Sequence, residues 1–170
     1  IYEIQSDAFL NCYNLKNISF PQSMRELGAG TFEGTGMETI PDLGGVTELR
    51  SSTFSRCNGL KNVVVPANIT VIGDDVFTEC ENLKEVILPD NLEFFDGTGT
   101  FFGCRYLENI LISSENQRYM TIEGNLIEKD TMKLLVGTTD GNVPYGVKTI
   151  AEGAFAFRGA FTSVVIPESV

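Results

Sequence analysis

Four cysteines, Cys12, Cys57, Cys80 and Cys104, each stand three residues after a phenylalanine, and they are the chain's most nucleophilic side chains. A metal site needs ligands converging from several directions, commonly with a short C-x-x-C pair, and a column spaced by whole repeats offers neither. Adjacent members could approach to about 5 Å at Cα, inside the disulfide window, but in-register parallel neighbours rarely aim their Cβ atoms suitably. The column is therefore expected to be four buried free thiols filling a small core position. The sequence contains no histidine. That removes the commonest general base, the Ser-His-Asp and Cys-His arrangements, and every histidine-containing zinc site.

Paired carboxylates are the remaining acid-base candidates, nearest at Asp74-Asp75 and Glu79/Glu81. They occupy variable positions of a repeat and are expected to be solvated surface. Gly97, Gly99 and Gly103 invite comparison with a phosphate loop, but the spacing is G-x-G-x-x-x-G and no long helix follows. A turn or bulge fits better. Asp140-Gly141-Asn142 has the start of a calcium loop without the rest of its ligand series. Asn17-Ile18-Ser19 and Asn68-Ile69-Thr70 match the glycosylation pattern. No catalytic residue, cofactor site or metal site is expected.

The elements behind these residues repeat. Phe9, Phe32, Phe54, Phe77, Phe101 and Phe155 recur at intervals of 23, 22, 23, 24 and 54, each following Ile4, Leu27, Leu49, Ile72, Phe95 or Ile150 by five or six positions. A second apolar rhythm follows: Leu15, Ile18, Phe20; Leu60, Val63, Val65; Leu83, Val86, Leu88; Leu107, Ile110, Ile112; and Phe161, Val164, Ile166. The last two of each set alternate, marking a short strand with two inward side chains. Proline closes it at Pro21, Pro66, Pro89 and Pro167, since it cannot donate to a ladder.

One such unit cannot bury its own apolar face, whereas stacked copies share a continuous core with strands about 4.8 Å apart. The expected fold is a repeat solenoid: a right-handed stack of short parallel β-strands, with short helical or 3₁₀ turns on the convex side. Repeat two is irregular at Met37, Ile40, Pro41, Leu43 and Gly44-Gly45, and repeat four carries one additional residue within residues 96–100. Residues 1–112 are read as repeats, 113–147 as an inserted β-hairpin (Thr121–Glu128 and Met132–Val136) with a loop over 137–146, and 148–170 as a final partial repeat. The whole of 1–170 is expected to be one domain. Ile1 begins inside a repeat and Val170 ends inside another, so the chain is expected to be a piece of a longer protein.

Composition narrows the role. There are 12 basic and 23 acidic residues, a net charge of -11, with no cationic stripe for nucleic acid. No apolar run approaches the roughly 18–20 residues that span a bilayer, so this segment is not expected to insert in a membrane.

The run Ile72-Gly73-Asp74-Asp75-Val76-Phe77-Thr78-Glu79-Cys80-Glu81-Asn82-Leu83-Lys84-Glu85-Val86-Ile87-Leu88-Pro89 resembles the BspA-like leucine-rich repeat family. Thr35 and Arg158 depart from its cysteine position. The resemblance implies a leucine-rich-type solenoid in a bacterial cell-surface or secreted protein that binds proteins or mediates adhesion to host matrix. It supplies no catalytic residues.

The residues between the two inward positions of each strand should face the concave solvent side. They are Ser19, Val64, Ile87, Leu111 and Val165, with Asn17, Asn62, Glu85, Asn109 and Ser163 two positions earlier. An apolar row beside a polar one suits a protein partner. An architectural spacer without its own ligand is the alternative, and β-branched residues favour strands whether or not anything binds them. Glycan binding would call for exposed aromatic platforms; tryptophan is absent and the five tyrosines fall at scattered offsets.

Overall fold

The computed structural model describes residues 2–97 and 99–170. The extra residue of repeat four includes Thr98, which lies outside the described residues. Each coil carries a two-residue strand where one aliphatic or aromatic residue points inward and its neighbour outward. These are β1 (Glu3–Ile4) paired with β2 (Glu26–Leu27), and β3 (Glu48–Leu49), β5 (Val71–Ile72) and β7 (Phe94–Phe95) in a second parallel sheet. A separate parallel sheet holds β4 (Asn62–Val64), β6 (Glu85–Ile87) and β8 (Asn109–Leu111). Its inward Val63, Val86 and Ile110 are in register and buried, as the period of two requires.

The third side of each coil is a turn centred on the phenylalanine. Alternate amides divide their hydrogen bonds between neighbour and self. Phe9, Phe32, Phe54 and Phe77 N–H donate to Thr31, Thr53, Val76 and Thr100 C=O of the following coil, each at 3.0 Å, whereas Leu10 and Cys12 N–H close local turns to Asp7 and Phe9 C=O. The residues two before and two after each phenylalanine have positive φ: Asp7 and Asn11, Gly30 and Gly34, Ser52 and Arg56, Asp75 and Glu79, Gly99 and Gly103, Gly153 and Phe157. A left-handed residue on each side of the phenylalanine interrupts any helical run, so among the described residues this side carries turns and no helix where short helical or 3₁₀ elements were expected.

Phe9, Phe32, Phe54, Phe77 and Phe101 stack in file, with successive ring centroids 5.6, 5.6, 6.1 and 5.5 Å apart. Burying each ring contributes about 2–3 kcal/mol, and each stacked pair adds about 1 kcal/mol. Beside the file, Cys57, Cys80 and Cys104 Sγ donate to Phe32, Phe54 and Phe77 C=O at 3.1 Å.

Phe155 leaves the file. It joins a second apolar cluster with Ile127, Leu134, Val143, Val147 and Ala154, its ring lying against Gly137, where a Cβ would collide with it. The insert accounts for the change. It contains the expected hairpin, β10 (Asn125–Glu128) and β11 (Lys133–Val136), plus a further strand β9 (Tyr119–Ile122) antiparallel to β10. Glu123 and Gly124, both at positive φ, make the two-residue turn that splits the first apolar stretch into two strands. β11 then pairs in parallel with β12 (Thr149–Ile150), so the coil pattern resumes on the insert's far edge. Tyr119 closes the earlier sheet: its Oη accepts the Phe95 N–H at 3.0 Å, and its ring packs edge-on to Phe95.

Two coils depart from the regular strand pattern, one of them already irregular in sequence. Repeat two forms no strand over 38–42, where it is one residue shorter and carries Pro41. In the final coil Val164 and Ile166 are exposed where inward side chains were expected, and residues 163–166 form no strand.

Candidate binding face

Register brings six of the ten expected face residues together. Asn62 opposes Glu85, which opposes Asn109; Val64 opposes Ile87, which opposes Leu111. Val64, Ile87 and Leu111 are exposed, and Val64 most of all at 61% against 38% for each of the others. The irregular second repeat explains the difference, since it places no strand beside β4. The polar row is tied internally by Asn109 Nδ2 donating to Glu85 Oε2 at 3.3 Å, and Lys84 pairs with Glu108 alongside it at 3.1 Å.

The other four do not join this sheet. Asn17 and Ser19 are exposed in the first coil but belong to no strand, and the strandless repeat two separates them from β4. Ser163 and Val165 are exposed beyond the insert, again outside any strand.

Sequence reasoning missed an outward row on the other ladder: Glu3, Glu26, Glu48, Val71 and Phe94, one residue before each inward partner. The residues just ahead of Ile4, Leu27, Leu49, Ile72 and Phe95 could have shown it. Arg50 ties two members together, reaching Glu26 at 3.2 Å and Glu48 at 3.9 Å, while Phe94 is half exposed.

The cysteines are free, and three are buried as expected. Burial raises the thiol pKa of Cys57, sends that of Cys80 well up, and pushes Cys104 up to about 12. Buried protonated thiols of this kind are inert. Cys12, in the first coil, is exposed where a buried thiol was expected. In the last coil the cysteine position belongs to Arg158, whose Nη1 donates to Phe101 C=O at 3.0 Å, the same bond that the thiols make to a phenylalanine carbonyl.

The other sequence candidates have structural jobs. Asp75 and Glu79 hold the two left-handed turn positions, and Glu81 pairs with Arg105 at 3.7 Å. Gly99 and Gly103 occupy the same two positions in the next coil. Asp140 Oδ1 accepts from Thr138 Oγ1 and Asn142 N–H, closing a local turn. The Asn68 amide donates to Gly44 and Val46 C=O. Among the described residues, no cluster of three or more acidic, cysteine or histidine side chains is arranged to hold a metal.

Stacked coils of parallel strands, a single file of phenylalanines and an exposed row crossing the strands define a solenoid of leucine-rich-repeat type. Residues 1–108 match the BspA type leucine rich repeat region in six copies. The chain belongs to that family. No curated protein matches it significantly. Among solved structures, a leucine-rich repeat protein from Eubacterium ventriosum aligns over 99% of this chain and 46% of its own, at TM-score 0.86 and 21% identity. The T. pallidum leucine rich repeat protein shares 31% identity over 65% of this chain and 51% of its own, at TM-score 0.55. A leucine rich cell surface protein from Faecalibacterium prausnitzii covers all of this chain and 53% of its own, at TM-score 0.66 and 23% identity. The chain thus spans about half the length of these structures.

Proposed function

We propose that the chain is a non-catalytic protein-binding or adhesion module of a bacterial cell-surface or secreted protein. Family membership and the cell-surface description of the Faecalibacterium relative support the location. Repeats of this family are generally non-enzymatic, and burial holds the thiols of Cys57, Cys80 and Cys104 in the protonated, unreactive form.

The observation that carries the reading is the in-register apolar row Val64, Ile87, Leu111, flanked by Asn62, Glu85 and Asn109. Three aliphatic side chains remain in water although the strands that hold them are fully formed. A protein partner would cover that row with apolar side chains and answer Glu85 with a cation or donor. Asn17, Ser19, Ser163 and Val165 lie off this patch and would contribute only to a partner that extends past it.

The test is a panel of purified host matrix and cell-surface proteins, assayed with the native chain and with Val64→Asp/Ile87→Asp. Both positions are exposed, so circular dichroism should be unchanged. Abolished binding supports the face; undiminished binding removes it.

A further inference from the structure

The turn side carries a depression of about 340 Å3 whose walls come from different coils. At the second and fourth positions after the phenylalanine, coil one places Asn11 and Tyr13, coil two Gly34 and Gly36, and coil three Arg56 and Asn58. Coil two contributes no side chains there, so the walls stand two coils apart, about 10 Å at the usual strand spacing. Stacking keeps the floor empty. A Cβ on Gly36 would strike the Tyr13 carbonyl, and one on Gly59 the Met37 carbonyl.

The walls combine an aromatic plate with hydrogen-bonding groups of both senses. Tyr13 is 70% exposed. Asn11 leans over the floor, its Oδ1 2.5 Å from where a Gly34 Cβ would sit. Asn58 Oδ1 accepts the Glu81 N–H of the fourth coil at 2.9 Å, which leaves the NH2 as the donor end of its amide. Arg56 is held by Glu33 at 2.5 Å, which fixes the guanidinium and offsets its charge.

Sugar hydroxyls donate and accept together, and the C–H face of a pyranose packs on an aromatic ring. Amide acceptor, amide donor, fixed guanidinium and ring supply the complementary set. The local charge balance and the chain's net charge of -11 disfavour acidic sugars. We infer that this trough binds the terminal residue of a neutral glycan, a hexopyranose stacked on Tyr13 and hydrogen-bonded by Asn11, Arg56 and Asn58. The site is separate from the sheet face and does not depend on it.

The experiment titrates the isotope-labelled chain with the methyl glycosides of glucose, galactose, mannose and N-acetylglucosamine, followed by amide chemical shifts. Saturable shifts at Gly34, Gly36 and Asn58 are expected with at least one of them. Tyr13→Ala and Asn58→Ala should each weaken binding by about tenfold or more, a loss of about 1.4 kcal/mol. Tyr13→Phe should keep most of the affinity, and Val64→Asp all of it. Absence of shifts with every glycoside would overturn the inference. So would binding that survives Tyr13→Ala, or tighter binding of N-acetylneuraminic acid than of the neutral sugars.

Discussion

Replacing Arg158 by methionine should detach the last coil from the repeats before it. The side chain is 5% exposed and bonds three carbonyls: Gly137 through Nε at 3.0 Å, and Phe101 and Ala156 through Nη1 at 3.0 and 3.3 Å. Phe101 lies in the main stack, Gly137 just after β11 of the insert and Ala156 in the final coil, so one guanidinium joins three segments. Methionine keeps much of the stem's packing but removes the donor from the Gly137 and Ala156 carbonyls, at about 1–3 kcal/mol each, while Phe101 C=O keeps the Cys104 N–H at 3.2 Å. Removing a desolvated cation recovers part of that, since burial already pulls the Arg158 pKa down. The net loss should be about 2–4 kcal/mol. Denaturant unfolding gives its size, and hydrogen exchange gives its place: protection should fall across 137–158 and persist in β4, β6 and β8. A loss under about 1 kcal/mol, or one spread evenly over all coils, would refute this account of the clamp.

Three further outcomes follow from the same contacts. With Ellman's reagent, Cys12 should react at once in the folded chain, and Cys57, Cys80 and Cys104 only after unfolding; two fast thiols, or fewer than four in denaturant, would contradict the burial pattern. Under oxygen-free conditions stability should decline as pH rises above about 9. The unfolded thiols ionise there while the folded ones, raised well above that range at Cys80 and to about 12 at Cys104, stay protonated and oppose it. Cys80→Ala should flatten that slope in melting temperature, and an unaltered slope would remove Cys80 as one of its causes. Tyr119→Phe, which strips the acceptor from Phe95 N–H, should cost about 1–2 kcal/mol and raise amide exchange at Phe95.

The stack was legible because one large residue per coil must reach the axis. Phe32, Phe54 and Phe77 could stand nowhere else, and the alternation Val63/Val65 or Val86/Leu88 followed from pairing in register. The other ladder was harder to see, since each strand is two residues long and shows a single inward side chain, too little for a period. Seven of the twelve left-handed turn positions were hidden by their occupants, since Asn, Asp, Ser, Arg, Glu and Phe do not announce positive φ as glycine does. Glu123-Gly124 concealed the insert's third strand for a related reason, because the first residue of such a turn is more commonly Asn, Asp or Gly. Arg158 was read as a poor match to its column, although it makes the same bond with a longer reach. Of the face, three strands assembled as expected; Ser19 and Val165 did not, because each depends on a neighbouring coil that the alternation itself does not describe.

The paired left-handed residues of the turn side separate what the backbone needs from what the surface displays. Each position asks only for a tolerated dihedral, and residues as different as Asn, Arg, Glu and Phe already meet it. Exchanging one for another changes what a visiting molecule encounters, at a local strain of about 1–2 kcal/mol relative to glycine. Such a lattice lets new specificities arise by point substitution while the axis of aromatic rings stays as it was.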